Sequence, residues 1–213
     1  QLLLVLDYGS QFTQLIARRA RELGVYTEIH PTTLTGRDLD RLNPKGIILS
    51  GGPASVTDPG APGVEPEVLG RGVPILGICY GMQLLAHVLG GKVRQSTQRE
   101  YGEATLSVEN EGCLFAGVGA TSRVWASHGD IVEHLPAGFT RLGHTDSVDL
   151  AAAENRERGI YAVQFHPEVA HTTLGTRILK NFLFGACGFT GDWSMGHVLT
   201  EAVEKIRKQV GQR

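Results

Sequence analysis

The sequence is poor in the features that mark several large classes of protein. Its 213 residues include only three cysteines, Cys79, Cys113 and Cys187, which are too few and too scattered for a disulfide framework or a zinc site. The 20 basic and 22 acidic residues nearly cancel, so no excess of positive charge points to nucleic acid or to an anionic membrane surface. No apolar run is long enough to span a bilayer. We therefore expect a cytoplasmic protein with neither a nucleic-acid nor a membrane partner, and with no bound metal.

Signals for nucleotide binding and for secretion are missing as well. The phosphate-loop pattern G-x-x-x-x-G-K-[ST] does not occur, and no G-x-G-x-x-G follows the first predicted strand. The apolar start at residues 2–6 has no basic leader and no small-residue cleavage site, so we interpret it as a buried strand rather than a signal peptide. What remains is a chain that is 41% hydrophobic and can bury one sizeable core.

The first part of the chain, up to about residue 90, alternates short apolar runs with helical periodicity. Near-continuous apolar strands separated by helices predict a mostly parallel sheet that is flanked by helices on both faces. The predicted strands are residues 2–6, 25–29, 46–49 and 73–78, and the predicted helices are residues 12–23 and 82–89. Glycine stands where each of these helices should stop, at Gly24 and at Gly90.

The pattern changes from residue 92 onward. Runs such as 104–108 and 123–126 carry alternating or β-branched residues between turn signals, which predicts a small antiparallel addition to the main sheet. The later predicted elements are a strand at 160–165, a helix at 174–184, a glycine-rich loop at 185–193 and an amphipathic helix along an apolar stripe at 198–210. The predicted fold class is thus α/β, with residues 1–188 as one domain and residues 189–213 as a linker and helix.

The sharpest functional signal is GICYG at residues 77–81, between an apolar strand and a helix. This is the G-x-nucleophile-x-G spacing of a nucleophile elbow, in which a tight, strained turn exposes the nucleophile and small neighbours let the backbone fold sharply. The N-terminus of the following helix would favour the thiolate form of Cys79. A buried structural cysteine in a glycine-rich turn is the alternative.

The second signal is QFHPE at residues 164–168, at the end of an apolar strand. Pro167 keeps the residue before it extended, and residues two apart in an extended backbone project to the same side. Glu168 can therefore reach one nitrogen of the His166 ring while the other nitrogen faces a thiol. With Cys79, this gives the nucleophile, base and orienting acid of a catalytic triad. Taken alone, His166 would be a strand-end histidine satisfied by hydrogen bonds.

The third signal is SGGP at residues 50–53, directly after the third predicted strand. Paired glycines there leave backbone N–H groups open to a ligand, at the edge where open α/β sheets bind substrates. We assign the amides of Gly52 and Tyr80 as an oxyanion hole for tetrahedral intermediates. An ordinary turn between a strand and a helix is the alternative for this segment.

These three blocks resemble those of the class I, triad-type glutamine amidotransferases, and the resemblance covers nearly the whole chain. The blocks DYGSQFTQLIARR at residues 7–19, SHGD at 127–130 and HPEVAHT at 166–172 are similar to those of the GMP synthase branch of that family. The resemblance implies glutamine hydrolysis, in which Cys79 attacks the side-chain amide, His166 protonates the departing ammonia, and water then hydrolyses the thioester. It also implies four residues that hold the amino-acid end of glutamine: Gln83, Ser127, Gly129 and Asp130.

Several of these residues have a plainer interpretation without the resemblance. Gln83 is then a residue on a helix face, and residues 127–130 form a turn. His128 has no assigned role. Cys113 and Cys187 belong to no motif, so we expect them to be packing or surface residues.

In the GMP synthase branch the ammonia is used by an ATP-pyrophosphatase domain, which adenylates xanthosine monophosphate and carries an S-G-G-x-D-S phosphate loop. The nearest string here, SGGPAS at residues 50–55, lacks the aspartate and belongs to the predicted oxyanion turn. We therefore expect the chain to hold the ammonia-producing half without a cofactor of its own, and ATP and magnesium to be required on a partner domain or subunit. The linker-like last helix favours a domain of a longer chain over a separate subunit.

Three other functions stay open from the sequence. The chain could be the amidotransferase subunit of another synthase, such as anthranilate or carbamoyl phosphate synthase, although the block at residues 7–19 and the extension to His171 argue against it. It could be a γ-glutamyl or peptide hydrolase, since such an enzyme can use the same triad. A non-enzymatic interaction module is the third alternative; loss of a triad residue would favour it, and all three residues are present.

Overall fold

The computed structural model of the chain describes residues 1–194 and 196, with the side chains of all of these except residues 97–99. The strands of this part are β1 Leu2–Asp7, β2 Tyr26–Pro31, β3 Gly46–Leu49, β4 Ile75–Ile78, β5 Lys92–Val108, β6 Thr121–His134, β7 Thr140–His144, β8 Ala152–Asn155 and β9 Ile160–Val163. They form one sheet in the order β2-β1-β3-β4-β9-β8-β7-β5-β6. Neighbours from β2 to β9 in this order are parallel, and those from β9 to β6 are antiparallel.

The parallel half of the sheet is buried on both faces, which explains why its strands are almost continuously apolar. Along β1, Leu3 and Val5 belong to the core on one face, whereas Leu4 and Leu6 belong to the core on the other. All four side chains are fully buried. The predicted α/β fold with a mostly parallel central sheet is therefore confirmed.

The described helices are α1 Thr13–Glu22, α2 Gly36–Leu42, α3 Pro66–Leu69, α4 Tyr80–Val88 and α5 Gly175–Lys180, which continues into the π-helix Asn181–Ala186. The sequence predicted α1 and α4 and the continuous helix at 174–184. It did not predict the short helices α2 and α3. The signal for α2 was present, because Thr35 and Asp38 form a capping box in which each side chain accepts a hydrogen bond from the other residue's backbone amide.

The predicted antiparallel addition is confirmed, with two corrections in detail. Residues 127–130, which without the family resemblance form a turn, lie inside β6 and pair with β5. Neither β7 nor β8 was predicted as a strand. The four residues of β8 are nonetheless fully buried between β7 and β9.

The segment after the π-helix packs back onto the end of α1 and the start of β2. The Trp193 amide donates a hydrogen bond to the Gly24 carbonyl at 2.9 Å, and its ring lies 5.9 Å from the Tyr26 ring. The helix expected over residues 198–210 lies outside the described residues, and the domain boundary at residue 188 stays a prediction. Among the helices that the structure describes, none has the length and apolar character required to cross a membrane.

Candidate active site

Cys79 occupies a sharp turn between β4 and α4. Its backbone has φ +53° and ψ −106°, a region that side-chain-bearing residues rarely adopt. The flanking glycines are required by space: a Cβ on Gly77 would lie 2.6 Å from the backbone of Gly81, and a Cβ on Gly81 would overlap the Leu49 backbone. The structure therefore places the predicted nucleophile on the strained elbow that the G-x-C-x-G spacing indicates.

His166 and Glu168 follow the end of the neighbouring strand β9 and are deeply buried, with exposed fractions of 3% and 0%. His166 Nδ1 lies 2.8 Å from Glu168 Oε1. Burial alone would lower the pKa of His166, but the Glu168 carboxylate and the hydrogen bonds with Cys79 and Glu168 outweigh burial and raise this pKa to about 10. The three predicted triad residues are thus brought together.

Two further contacts enclose the nucleophile and the base. The Cys79 thiol lies against the backbone carbonyl of Ser127 on β6, with Sγ 3.6 Å from the oxygen. The Phe12 and His166 rings pack in a T-shaped arrangement with the ring centres 5.0 Å apart. The imidazole therefore has little freedom to rotate away from the thiol.

The glycine pair after β3 lies directly beside the triad. A Cβ on Gly51 would stand 3.0 Å from the His166 ring and 3.5 Å from Cys79 Cβ, while a Cβ on Gly52 would stand 2.5 Å from the Tyr8 carbonyl oxygen. Tyr80 is the first residue of α4, a position whose backbone amide has no partner within the helix. These positions are compatible with the predicted oxyanion hole at Gly52 and Tyr80.

A cavity of about 580 Å³ opens at Cys79 and His166, a size typical of small-molecule sites. The four predicted glutamine-binding residues and one predicted oxyanion residue line its wall: Gln83, Ser127, Gly129, Asp130 and Gly52. The Gln83 side chain is already committed in part, because its amide nitrogen donates to the Asp130 carbonyl at 2.8 Å and approaches Gln164 Oε1 at 3.4 Å. Gln83 therefore ties α4 to β6 at the cavity wall.

Sequence reasoning gave no role to another part of the cavity wall, which is formed by the loop after β1. Gly9, Ser10, Gln11 and Phe12 line it. Asp7 fixes the loop, since its Oδ1 accepts hydrogen bonds from the Gly9 amide at 2.9 Å and from the Thr13 hydroxyl at 2.7 Å. The sequence feature that could have identified this loop as part of the site is its position at the carboxyl end of a parallel strand next to β3.

Asp58, Gln95 and Tyr101 also line the cavity and were not predicted. Tyr101 is 64% exposed at the mouth, on β5. Nothing in the local sequence distinguishes these residues from others on the surface. Only the folded chain brings them to the site.

His128, which had no assigned role, lines the cavity and belongs to a polar cluster that joins β6 to β5 and to the segment after β7. Its Nε2 lies 3.1 Å from Glu100 Oε2, and Glu100 also accepts hydrogen bonds from the hydroxyl groups of Thr145 and Ser147. Burial raises the pKa of Glu100, but these hydrogen bonds outweigh it and hold the pKa below its usual value. Glu100 therefore stays ionised and orients His128.

The remaining two cysteines do not line the cavity. Cys113 and Cys187 are free thiols, and burial raises the pKa of both. No group of three or more His, Cys, Asp or Glu side chains that could hold a metal ion occurs within the described part of the chain.

A nucleophile, a base and an orienting carboxylate meet at the carboxyl ends of β4 and β9, the arrangement of an α/β enzyme of the cysteine-triad class. Residues 4–186 match the sequence profile of the glutamine amidotransferase class-I family. The chain belongs to this family.

Two curated relatives are similar to this chain over nearly its whole length. The GMP synthase [glutamine-hydrolyzing] of Staphylococcus epidermidis is 49% identical over 213 residues, which is 100% of this chain and 41% of that protein. The protein of the same name from Geobacillus kaustophilus is 51% identical over 211 residues, covering 99% of this chain and 41% of the relative. The chain thus spans about two fifths of the length of these relatives.

Two solved structures share the fold. A protein from Thermoplasma acidophilum, assigned as one of the subunits of a GMP synthase, has a TM-score of 0.74 and 36% identity, covering 87% of this chain and 93% of its own. A glutamine amidotransferase from Thermotoga maritima has a TM-score of 0.72 at 18% identity, covering 88% of this chain and 98% of its own. The second likeness concerns the fold alone.

Proposed function

We propose that the chain hydrolyses glutamine to glutamate and ammonia, and that the ammonia serves the amination of xanthosine monophosphate to GMP. The observation that carries the proposal is the buried Cys79, His166 and Glu168 triad at the end of a cavity of about 580 Å³. Membership of the glutamine amidotransferase class-I family supports the substrate. The names of the relatives at 49% and 51% identity support the use of the ammonia.

The first half of the reaction forms a thioester. The Cys79 thiolate attacks the side-chain carbonyl carbon of glutamine, and the carbonyl oxygen becomes an oxyanion that accepts hydrogen bonds from the amides of Gly52 and Tyr80. His166 then donates its proton to the amide nitrogen as the C–N bond breaks, which releases ammonia. A pKa near 10 keeps the imidazolium protonated at neutral pH, and Glu168 holds it in place for this step.

The second half of the reaction restores the enzyme. His166, now neutral, removes a proton from water while the water oxygen attacks the thioester carbon. The carbon–sulfur bond breaks, glutamate leaves, and the thiolate and imidazolium are regenerated. Throughout, the amino-acid end of glutamine is held by the cavity wall formed by Gln83, Ser127, Gly129 and Asp130.

The partner is an ATP-pyrophosphatase domain or subunit that uses ATP and magnesium, while this chain needs no cofactor of its own. The two relatives named GMP synthase [glutamine-hydrolyzing] extend well beyond the region matched by this chain. Their remaining length is large enough for such a domain. The Thermoplasma protein, named as one subunit of a GMP synthase, is matched over 93% of its own length by 87% of this chain, so the two chains are of similar length. Three free thiols among the described residues suit a cytoplasmic location.

The experiment measures glutamate release from glutamine by the purified chain, with and without an ATP-pyrophosphatase partner supplied with ATP and xanthosine monophosphate. We expect low activity alone and stimulation by the loaded partner. Glutamate release that is the same with and without the partner would support glutamine hydrolysis but reject the link to GMP synthesis. No release in either case would reject both.

The matched control is Cys79→Ala, which should abolish glutamate release while the circular dichroism spectrum and the unfolding temperature stay close to those of the parent chain. Normal turnover by this variant would remove Cys79 from the mechanism. A panel of γ-glutamyl peptides, tested in parallel, distinguishes glutamine hydrolysis from peptide hydrolysis.

A further inference from the structure

A closed ring of three hydrogen bonds joins His166 to strand β6. The His166 amide donates to the Trp125 carbonyl at 2.9 Å. The Trp125 amide donates to the Thr172 hydroxyl at 3.0 Å, and this hydroxyl donates in turn to the His166 carbonyl at 2.6 Å. In an ordinary antiparallel pair, His166 and Trp125 would exchange both bonds directly. Here the hydroxyl of a third residue replaces one of the two.

This ring fixes the edge of β6 that faces the triad. Trp125 pairs with Glu103 of β5 in the ladder on one side. On the other side its amide donates to Thr172 and its carbonyl accepts from His166. Two residues further along the same strand, the carbonyl of Ser127 meets the Cys79 thiol. One strand edge therefore contacts both the nucleophile and the base.

Thr172 is itself held tightly, which suits a fixed bridge. Its side chain is only 4% exposed, and its own amide donates to the Val169 carbonyl at 3.2 Å. Its carbonyl accepts from Gly175 at 3.0 Å, and a Cβ on Gly175 would overlap the Pro167 backbone. The segment after Glu168 is thus a compact turn that presents the hydroxyl to the two strands.

We propose that Thr172 is a positioning residue for the reaction: its hydroxyl group fixes the backbone of His166 against β6 and so sets the imidazole at Cys79. The inference rests on the proposed glutamine hydrolysis. Without the hydroxyl, the partly buried N–H of Trp125 and the buried C=O of His166 lose these partners. The backbone of His166 would then shift to reach other partners, and the imidazole would shift with it.

The test compares Thr172→Ser with Thr172→Ala, because these two variants differ only by the hydroxyl oxygen. We expect Thr172→Ser to retain kcat within about threefold, and Thr172→Ala to lose kcat on the order of 10–100-fold, the scale of a small misplacement of a catalytic group. KM for glutamine should stay within about threefold in both variants. The matched control is Thr27→Ala in β2, at the opposite edge of the sheet from β6. It removes a buried hydroxyl that donates to the Val25 carbonyl, and kcat should be unchanged.

A second readout does not depend on turnover. The rate at which iodoacetamide alkylates Cys79 should fall in Thr172→Ala and not in Thr172→Ser or Thr27→Ala, because the thiolate depends on a correctly placed imidazolium. Equal kcat and equal alkylation rates in the Ser and Ala variants would overturn the role of Thr172. A parent chain that is alkylated normally but releases no glutamate, either alone or with the loaded partner, would reject the proposed function. The alkylation test of Thr172 would still be valid.

Discussion

At the scale of single residues, the site depends on a charged histidine that is kept charged by its surroundings. Burial of His166 opposes its positive charge, and two groups, Glu168 and Cys79, reverse that effect and raise its pKa to about 10. A protonated imidazole beside a thiol can keep the thiol ionised and can later protonate a leaving group. The acid–base chemistry therefore depends on Glu168 as much as on the histidine itself.

Replacing Glu168 with glutamine tests this dependence. In Glu168→Gln the carboxylate is lost, burial dominates, and the pKa of His166 should fall well below 10. Histidine NMR signals followed against pH would report the change, and kcat should drop on the order of 10²–10⁴-fold, the usual contribution of a positioned acid or base. Glu100→Gln is the matched control, since it removes the carboxylate beside His128 and should leave the titration of His166 as it was. An unchanged titration in Glu168→Gln would contradict the assignment of the cause.

At the scale of elements, the sequence predicts best what is repetitive and worst what depends on distant neighbours. The apolar strands β1 and β3 and the periodic helices α1 and α4 are evident from local sequence alone. β8 is not, because alanine, glutamate and asparagine are poor strand formers; it is a strand because β7 and β9 enclose it. Residues 127–130 have the composition of a turn, and the ladder with β5 holds them in a strand, with a register shift between Gln95 and Glu100 opposite Gly129.

The same contrast applies to the site. The triad was predictable because it lies in two short motifs with a clear physical logic, at residues 77–81 and 164–168. The wall residues Gly9, Asp58 and Tyr101 were not, since they are joined only by the closure of the fold. Sequence motifs thus identify the reacting groups, and packing decides what surrounds them.

The hydrogen bond from Gln83 on α4 to Asp130 on β6 gives a prediction at the scale of elements. Gln83→Ala removes the hydrogen bond to the Asp130 carbonyl, so the free energy of unfolding should fall by about 1 kcal/mol. The part of the cavity wall on β6 is then no longer fixed to α4. KM for glutamine should therefore rise on the order of tenfold, a change equivalent to about 1.4 kcal/mol. Urea unfolding and steady-state kinetics check the two effects. Gln14→Ala, on the exposed face of α1, should change neither; a variant Gln83→Ala with parental KM and stability would refute this role.

At the scale of the whole molecule, the raised pKa of His166 links folding stability to pH. The folded pKa of about 10 lies above the ordinary value of 6.5, so the folded state binds this proton more tightly than the unfolded state. The resulting stabilisation is fully present below pH 6.5 and is lost as the pH rises through 10.

Urea unfolding of the parent chain and of His166→Asn at pH 6, 8 and 10.5 measures the link. The difference in free energy of unfolding between the two proteins should favour the parent most at pH 6 and shrink steadily towards pH 10.5. A difference that grows with pH, or that does not change, would mean that His166 is not charged in the folded chain.

The backbone of Cys79 finally has a consequence for how this protein can be stabilised. In the middle of a helix or strand, alanine is more favourable for folding than glycine by roughly 0.5–1 kcal/mol, because glycine loses more conformational freedom. At φ +53° and ψ −106° a residue with a side chain is strained by about 1–3 kcal/mol, and glycine is not. Cys79→Gly should therefore unfold at a higher temperature than Cys79→Ala, a reversal of the usual order that differential scanning calorimetry would detect. Folding stability favours glycine at position 79, whereas the reaction requires cysteine. A selection for stability alone would therefore favour Cys79→Gly, a replacement that abolishes the reaction.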